Sequence, residues 1–278
     1  MSIGHSQTIA NRLPPFILVL SLLIIYLSTL APGLTWANGR SDGGDLITAA
    51  HTGGIAHPTG YPLYLILARL FQNFPIGSLA YRTNLLSMTA AICSAVVVYR
   101  LVEQNSPSSN DKYAWLAGLT AGFAFGLSPL VWSQAVITEV YTLQAFLTVS
   151  ILYLSTNPLQ NINPKVLERV RGLVFGLAMG NHVTTILLSP LILFSKNIEG
   201  RTISSIPSII RQLVWIILGL SLYLILPLRA VAAPPVNWGN PITLDRFWWL
   251  VSGELYQYYY LQFQPTAIWE RVQVWASL

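Results

Sequence analysis

Asp42, Asp45, His51 and His57 crowd into one short stretch, Ser41-Asp42-Gly43-Gly44-Asp45-Leu46-Ile47-Thr48-Ala49-Ala50-His51 followed by His57-Pro58-Thr59-Gly60-Tyr61-Pro62. Carboxylates and imidazoles are the common general acids and bases of enzymes, and they also ligate divalent ions. His51 lies six residues after Asp45, not at the i, i+4 spacing that aligns two ligands on one helix face. The segment therefore does not demand a metal. No metal ligand is assigned, no cofactor is required, and a divalent cation is left open.

Long apolar runs flank this stretch, which places its chemistry at a membrane surface. Of the 278 residues 53% are hydrophobic and 9% charged, and apolar stretches near twenty residues recur. The composition predicts an all-α, polytopic membrane protein. The net charge of +5 comes largely from Lys and Arg in short loops between spans, which reads as topology and excludes nucleic acid as the partner. Cys93 is the lone cysteine, so neither an intrachain disulfide nor a cysteine metal cluster can form.

The elements that must position these groups follow from hydropathy and loop charge. Residues 14–31 read as an uncleaved first span, preceded by Arg12 on the cytoplasmic side. Residues 32–79 form an external loop with two surface helices, around Asp45 to His51 and from Tyr61 to Phe74. Leu79 to Leu101 returns to the cytoplasm, with Arg82 and Asn84 near its outer end. After the polar turn Asn105 to Lys112, Tyr113 to Trp132 and Val136 to Leu154 read as two spans joined at a tight outer corner, Ser133-Gln134. The next loop carries Lys165, Arg169 and Arg171, as the positive-inside rule asks. A single span over 172–194 would leave Lys196, Arg201 and Arg211 outside. Breaking it at Gly180-Asn181-His182 into a re-entrant hairpin removes that conflict, provided the tip is packed inside protein. Ile209 to Leu228 completes the spans of residues 79–228. Residues 229–278 supply a second external loop and an aromatic interfacial helix from Leu244 to Phe263, with Trp248, Trp249, Tyr256, Tyr258, Tyr259 and Tyr260 read as a belt rather than a sugar platform.

Each candidate has a plain structural alternative. Glu139 is an ionisable group in an apolar span, which is costly and usually faces a cavity, though it could be solvated at the corner. Asn181 and His182 could bind a ligand or merely close the broken backbone. Asp42 could cap the following helix, Asp45 could stabilise its N-terminus, His57 could be a structural imidazole, and Arg82 and Arg229 could reach for headgroups.

Several separated motifs resemble one family. They are Asp42-Gly43-Gly44-Asp45-Leu46-Ile47-Thr48-Ala49-Ala50, Gly54 through Tyr64, Tyr81-Arg82-Thr83-Asn84-Leu85-Leu86-Ser87, Glu139-Val140-Tyr141, Gly180-Asn181-His182, Leu226-Pro227-Leu228-Arg229 and Asn237-Trp238-Gly239-Asn240-Pro241. Together, over about residues 14–262, they resemble the transmembrane protein O-mannosyltransferases, a family long labelled a domain of unknown function within the C-type glycosyltransferase superfamily. The resemblance implies a helical bundle whose first external loop carries two surface helices and an essential acid. It implies transfer of a sugar, mannose, from a polyprenyl phosphate donor to a Ser or Thr hydroxyl of an exported protein. The setting would be the outer face of a bacterial plasma membrane or the lumenal face of the endoplasmic reticulum. Asp42 would be the catalytic base, with Asp45 as the second acid. His57, Arg82, Glu139, Asn181, His182 and Arg229 would line the substrate site. The family's usual Asp-Ser-Gly-Glu is Asp-Gly-Gly-Asp here, so Asp45 is one methylene shorter than the expected glutamate. A lipid-linked sugar flippase and a non-catalytic lipid-binding subunit are the alternative readings. The chain ends soon after its last aromatic helix, and reads either as a minimal module or as part of a longer protein.

Overall fold

The computed structural model describes residues 13–35, 42–106, 113–156, 162–193, 204–261 and 265–276, with the backbone alone at 258–261 and 265–266. Arg12, Lys112, Lys196 and Arg201, on which part of the topology reading rests, lie outside the described residues, as do the side chains of Tyr258, Tyr259 and Tyr260. The described residues are helical. Their only extended pairing is an isolated parallel bridge between Ile55 and Asn237. Among the described residues fourteen α-helices follow one another: α1 (Leu13–Thr29), α2 (Gly43–Thr52), α3 (Pro62–Gln72), α4 (Leu79–Gln104), α5 (Ala114–Gly126), α6 (Pro129–Ala135), α7 (Tyr141–Thr156), α8 (Pro164–Met179), α9 (Pro190–Leu193), α10 (Ile206–Leu220), α11 (Ile225–Val231), α12 (Leu244–Val251), α13 (Glu254–Leu261) and α14 (Pro265–Ala276). Short 3₁₀ turns join α8 to α9 (Val183–Leu188) and α10 to α11 (Ser221–Leu224).

Among the described residues two helical stretches, Leu79–Gln104 and Ile206–Val231, are long and apolar enough to cross a membrane, and the α5–α6 pair makes a third if its bend is counted as one broken span. In hydrocarbon, burying an apolar side chain gains little over leaving it in lipid, so helix association depends on close packing and small residues. The contacts here have that form. Gly118, Gly122 and Gly126 on α5 face Tyr99, Leu18 and Leu22, and the Tyr26 hydroxyl donates to the Gly126 carbonyl at 2.6 Å. On α8, a Cβ at Gly176 would come within 2.2 Å of the Ile216 carbonyl oxygen, and one at Gly172 within 2.5 Å of that of Gln212. Only glycine permits this approach. The α8–α10 pair is clasped further by Arg171 Nε donating to Gln212 Oε1 at 2.7 Å and by Arg211 Nε to Glu168 Oε2 at 2.6 Å.

Three elements differ from the sequence reading. The stretch Tyr113 to Trp132 is not one straight span: α5 and α6 meet at 63°, because Ser128 and Pro129 start a new helix, the Ser128 hydroxyl accepting from the Val131 N–H. The corner consequently falls at residues 136–140 rather than at Ser133-Gln134, which are helical, and Glu139 sits inside it. The arm before the Gly180–His182 break begins at Pro164 rather than Gly172, capped by Asn163 Oδ1 accepting from the Lys165 N–H at 2.9 Å. After the break the chain runs back beside α10, where the Ile192 carbonyl accepts from Gln212 and from the Ser204 hydroxyl. The aromatic segment also breaks, at Gly253 with φ +64°, into α12 and α13.

Candidate functional site

The site begins at the N-terminus of α2. Asp42 occupies the position before the first helical residue, and its backbone carbonyl accepts from the Leu46 N–H at 3.0 Å, but its carboxylate makes no capping hydrogen bond. The side chain is 57% exposed. Asp45 follows in the first turn of α2. The helix ends at Gly53, in the left-handed region at φ +70°, with the Gly54 N–H donating back to the Ala49 carbonyl at 2.8 Å. This stop turns the chain so that His57, twelve residues after Asp45, lies against the start of the same helix.

His57 joins the two acids. Its backbone N–H donates to Asp45 Oδ2 at 2.9 Å, its ring Nδ1 lies 2.7 Å from the same oxygen, and its Nε2 faces Asp42 Oδ2 at 3.4 Å. The Nε2 contact becomes an ion pair only when both ring nitrogens carry protons. The ring is buried and held edge-on by Tyr61 at 5.0 Å between centroids, Tyr61 itself lying in the left-handed region at φ +44°. The other Asp45 oxygen accepts from the Trp238 indole N–H at 2.9 Å. Burial works against a charge on Asp45, but the hydrogen bonds from the His57 ring and backbone and from Trp238 outweigh it and hold the carboxyl below its ordinary range.

Glu139 approaches from the α6–α7 corner. It is buried, its carboxylate accepts from the Val140 N–H, and Asp42 and His57 are within electrostatic reach of it. Two polar side chains set its place. The Ser87 hydroxyl on α4 donates to the Glu139 carbonyl at 3.2 Å and accepts from its N–H at 3.3 Å. From the other side, Asn181 Nδ2 donates to the Val140 carbonyl at 3.2 Å and to Gln144 Oε1 at 3.1 Å. Asn181 is fully buried, and its Nδ2 bonds hold the corner in place. His182 packs its ring 6.1 Å from that of Tyr141, and its Nδ1 accepts from the Thr184 N–H at the start of the 3₁₀ turn.

The two arginines have backbone partners. Arg82 donates through Nε, Nη1 and Nη2 to the carbonyls of Ile76, Gln72 and Gly77 at 2.8, 2.9 and 3.0 Å. Those bonds brace the α3–α4 turn. Arg229 Nη1 donates to the Gly54 carbonyl at 3.3 Å, at the turn that leads to His57. His51 lies apart, at the far end of α2, where Arg69 donates to its carbonyl. Among the described residues no group of three or more His, Cys, Asp or Glu is arranged to hold a metal ion. The structure thus gathers Asp42, Asp45, His57 and Glu139. Trp238, which sequence reasoning left in the second loop, joins them, and its one sequence signal is a tryptophan fixed within Asn237-Trp238-Gly239-Asn240-Pro241.

Residues 42–201 match the family model described as the Protein O-mannosyl-transferase TMEM260 N-terminal domain. That range holds all four clustered residues, while Arg229 and Trp238 lie beyond it. The chain is 30% identical over 216 residues to the mouse protein named Protein O-mannosyl-transferase TMEM260, an alignment covering 74% of this chain and 29% of that protein. It is 28% identical over 257 residues to the Dictyostelium discoideum protein of the same name, covering 83% of this chain and again 29% of the relative. The chain therefore spans less than a third of the length of these relatives. No solved structure matches it. With that model matched over more than half of its length, the chain belongs to the TMEM260 protein O-mannosyl-transferase family, as a counterpart of its N-terminal domain.

Proposed function

We propose that the chain carries the reaction centre of a membrane glycosyltransferase that moves mannose from a polyprenyl phosphate to a Ser or Thr hydroxyl of an exported protein, at the outer or lumenal face. The observation that carries this reading is the carboxylate of Asp42, exposed and without a capping bond, beside an imidazole that Asp45 and Trp238 hold still. The names of the relatives support the class of reaction.

The chemistry is displacement at the anomeric carbon. The acceptor oxygen forms a bond to that carbon as the carbon–oxygen bond to the phosphate breaks, and the phosphate leaves with the bonding electrons. A carboxylate is a weak base toward a free hydroxyl, so Asp42 takes the proton late, once bond formation has acidified it. Holding the acceptor in line contributes more than basicity does. In this scheme the nearby His57 faces the protonated or ionised Asp42, and buried Glu139 bounds the sugar side of the cavity. The leaving phosphate gains charge, which Arg229 and His182 would offset as donors. A mainly apolar cavity of about 310 Å³, lined by residues that include Ala91, Leu130, Val131, Tyr141 and Ala145, opens next to this corner and would take part of the isoprenoid tail.

The test is direct. Membranes holding the chain, given radiolabelled polyprenyl phosphate mannose and a Ser/Thr-rich peptide, are expected to yield label on the peptide that alkali releases as an O-linked sugar. Donor that stays intact, with an unlabelled peptide, would overturn the proposal.

A further inference from the structure

We propose that Trp238 is a positioning residue: delivered by the second loop, its indole N–H fixes Asp45, Asp45 fixes His57, and Asp42 is thereby the acid left open to the acceptor. The inference rests on the reading of Asp42 as the base and assigns the two acids different work.

The hydrogen bonds divide the acids sharply. Asp45 has both oxygens engaged, Oδ2 by the His57 backbone and ring and Oδ1 by Trp238. Asp42 is more than half exposed, and His57 Nε2 lies 3.4 Å from its Oδ2. An acceptor hydroxyl approaching this cluster would find Asp45 saturated and Asp42 available.

Delivery of Trp238 is built into the backbone. The Ile55 N–H donates to the Val236 carbonyl at 2.8 Å, and the Trp238 N–H returns to the Ile55 carbonyl at 3.3 Å, so the second loop docks on the segment that leads into His57. The approach is so close that a Cβ on Gly54 would fall 2.5 Å from the Val236 carbonyl oxygen. Past the tryptophan the loop closes tightly: Gly239 is at φ +65° over the Trp249 ring, and Asn237 Nδ2 donates to Asn240 Oδ1 at 3.2 Å. Trp238 remains 40% exposed, with its ring 6.4 Å from that of His57. A tryptophan present only to bury surface would not need its nitrogen on a carboxylate.

Among the described residues the ionisable groups around this chain of contacts are Asp42 before α2 and Asp45 on it, His57 and Tyr61 on the turn into α3, Arg229 on the Gly54 carbonyl, and Glu139 from the α6–α7 corner. Removing the indole N–H takes a donor from the charged form of Asp45 and so raises its carboxyl. The experiment replaces Trp238 with benzothienylalanine, which keeps the bicyclic ring and lacks the N–H, and separately with phenylalanine. It follows Asp45 by carbon NMR and records mannosyl transfer against pH. Asp45 is expected to titrate about one pH unit higher, with the acid limb of transfer moving up by a similar amount and the loss shrinking as pH rises. Gly54→Ala, whose added carbon meets the Val236 carbonyl most closely, is expected to shift Asp45 the same way. An unmoved Asp45 titration, or a loss equal at every pH, would overturn the assignment. If no form of the chain transfers sugar, the transferase reading falls, and the Asp45 titration still decides the role of Trp238.

Discussion

At the scale of single residues, the informative contrast is between two carboxylates three positions apart. Asp45 is held below its ordinary range by donors that prefer the ionised form. Its contribution to stability is therefore full above the unfolded carboxylate value, near pH 4, and is lost as pH falls through the lowered folded value. Below about pH 5 the thermal melting temperature in detergent is expected to fall as Asp45 protonates, with a smaller acid-side change in Asp45→Asn. That variant should itself be less stable by about 1–3 kcal/mol at neutral pH, since its amide turns a donor toward His57 or Trp238. A variant as stable as the wild type would mean that the three hydrogen bonds carry little energy. Asp42, Asp45 and His57 were legible in the sequence because acids and imidazoles in a short stretch between apolar runs attract attention by type. Trp238 was not, because 193 residues separate it from Asp45 and no local pattern encodes so distant a partner.

At the scale of elements, glycines and capping residues decide where helices touch and stop. Gly176→Leu is expected to force α8 from α10 and lower stability by about 1–3 kcal/mol or more, read as a lower melting temperature in detergent. No change would show that the pair is not close-packed in solution. Asn181→Ala removes two donors from a fully buried position and should cost about 1–3 kcal/mol by the same readout. The break at Gly180–His182 was legible because loop charge and span counting conflicted there. The bend at Ser128-Pro129 was missed because the apolar run continues through it, and hydropathy does not register a cap followed by a proline. Arg82 shows a further limit. Its position near a span end was readable, whereas its three bonds to turn carbonyls depend on how α3 meets α4.

At the scale of the whole molecule, the account needs the acid cluster on the side where an exported acceptor waits. At 1.5 Å per residue the 26 residues of α4 extend about 39 Å, enough to cross roughly 30 Å of hydrocarbon. In a Cys93→Ala background, Ser78→Cys before α4 should react with an impermeant maleimide in intact cells or sealed lumen-out vesicles. Asn105→Cys after it should react only once the membrane is opened. The reverse pattern would put Asp42 on the wrong face. The all-helical class was legible from composition, since long apolar runs leave few other folds for a spanning chain.

The central claim is that Asp42 takes the proton from the acceptor. The measurement is transfer of radiolabelled mannose from polyprenyl phosphate to peptide by wild type, Asp42→Asn and Asp45→Asn at equal protein level. Asp42→Asn is expected to lose about a hundredfold or more across the whole pH range, and Asp45→Asn less. Transfer by Asp42→Asn equal to that of the wild type would contradict the account.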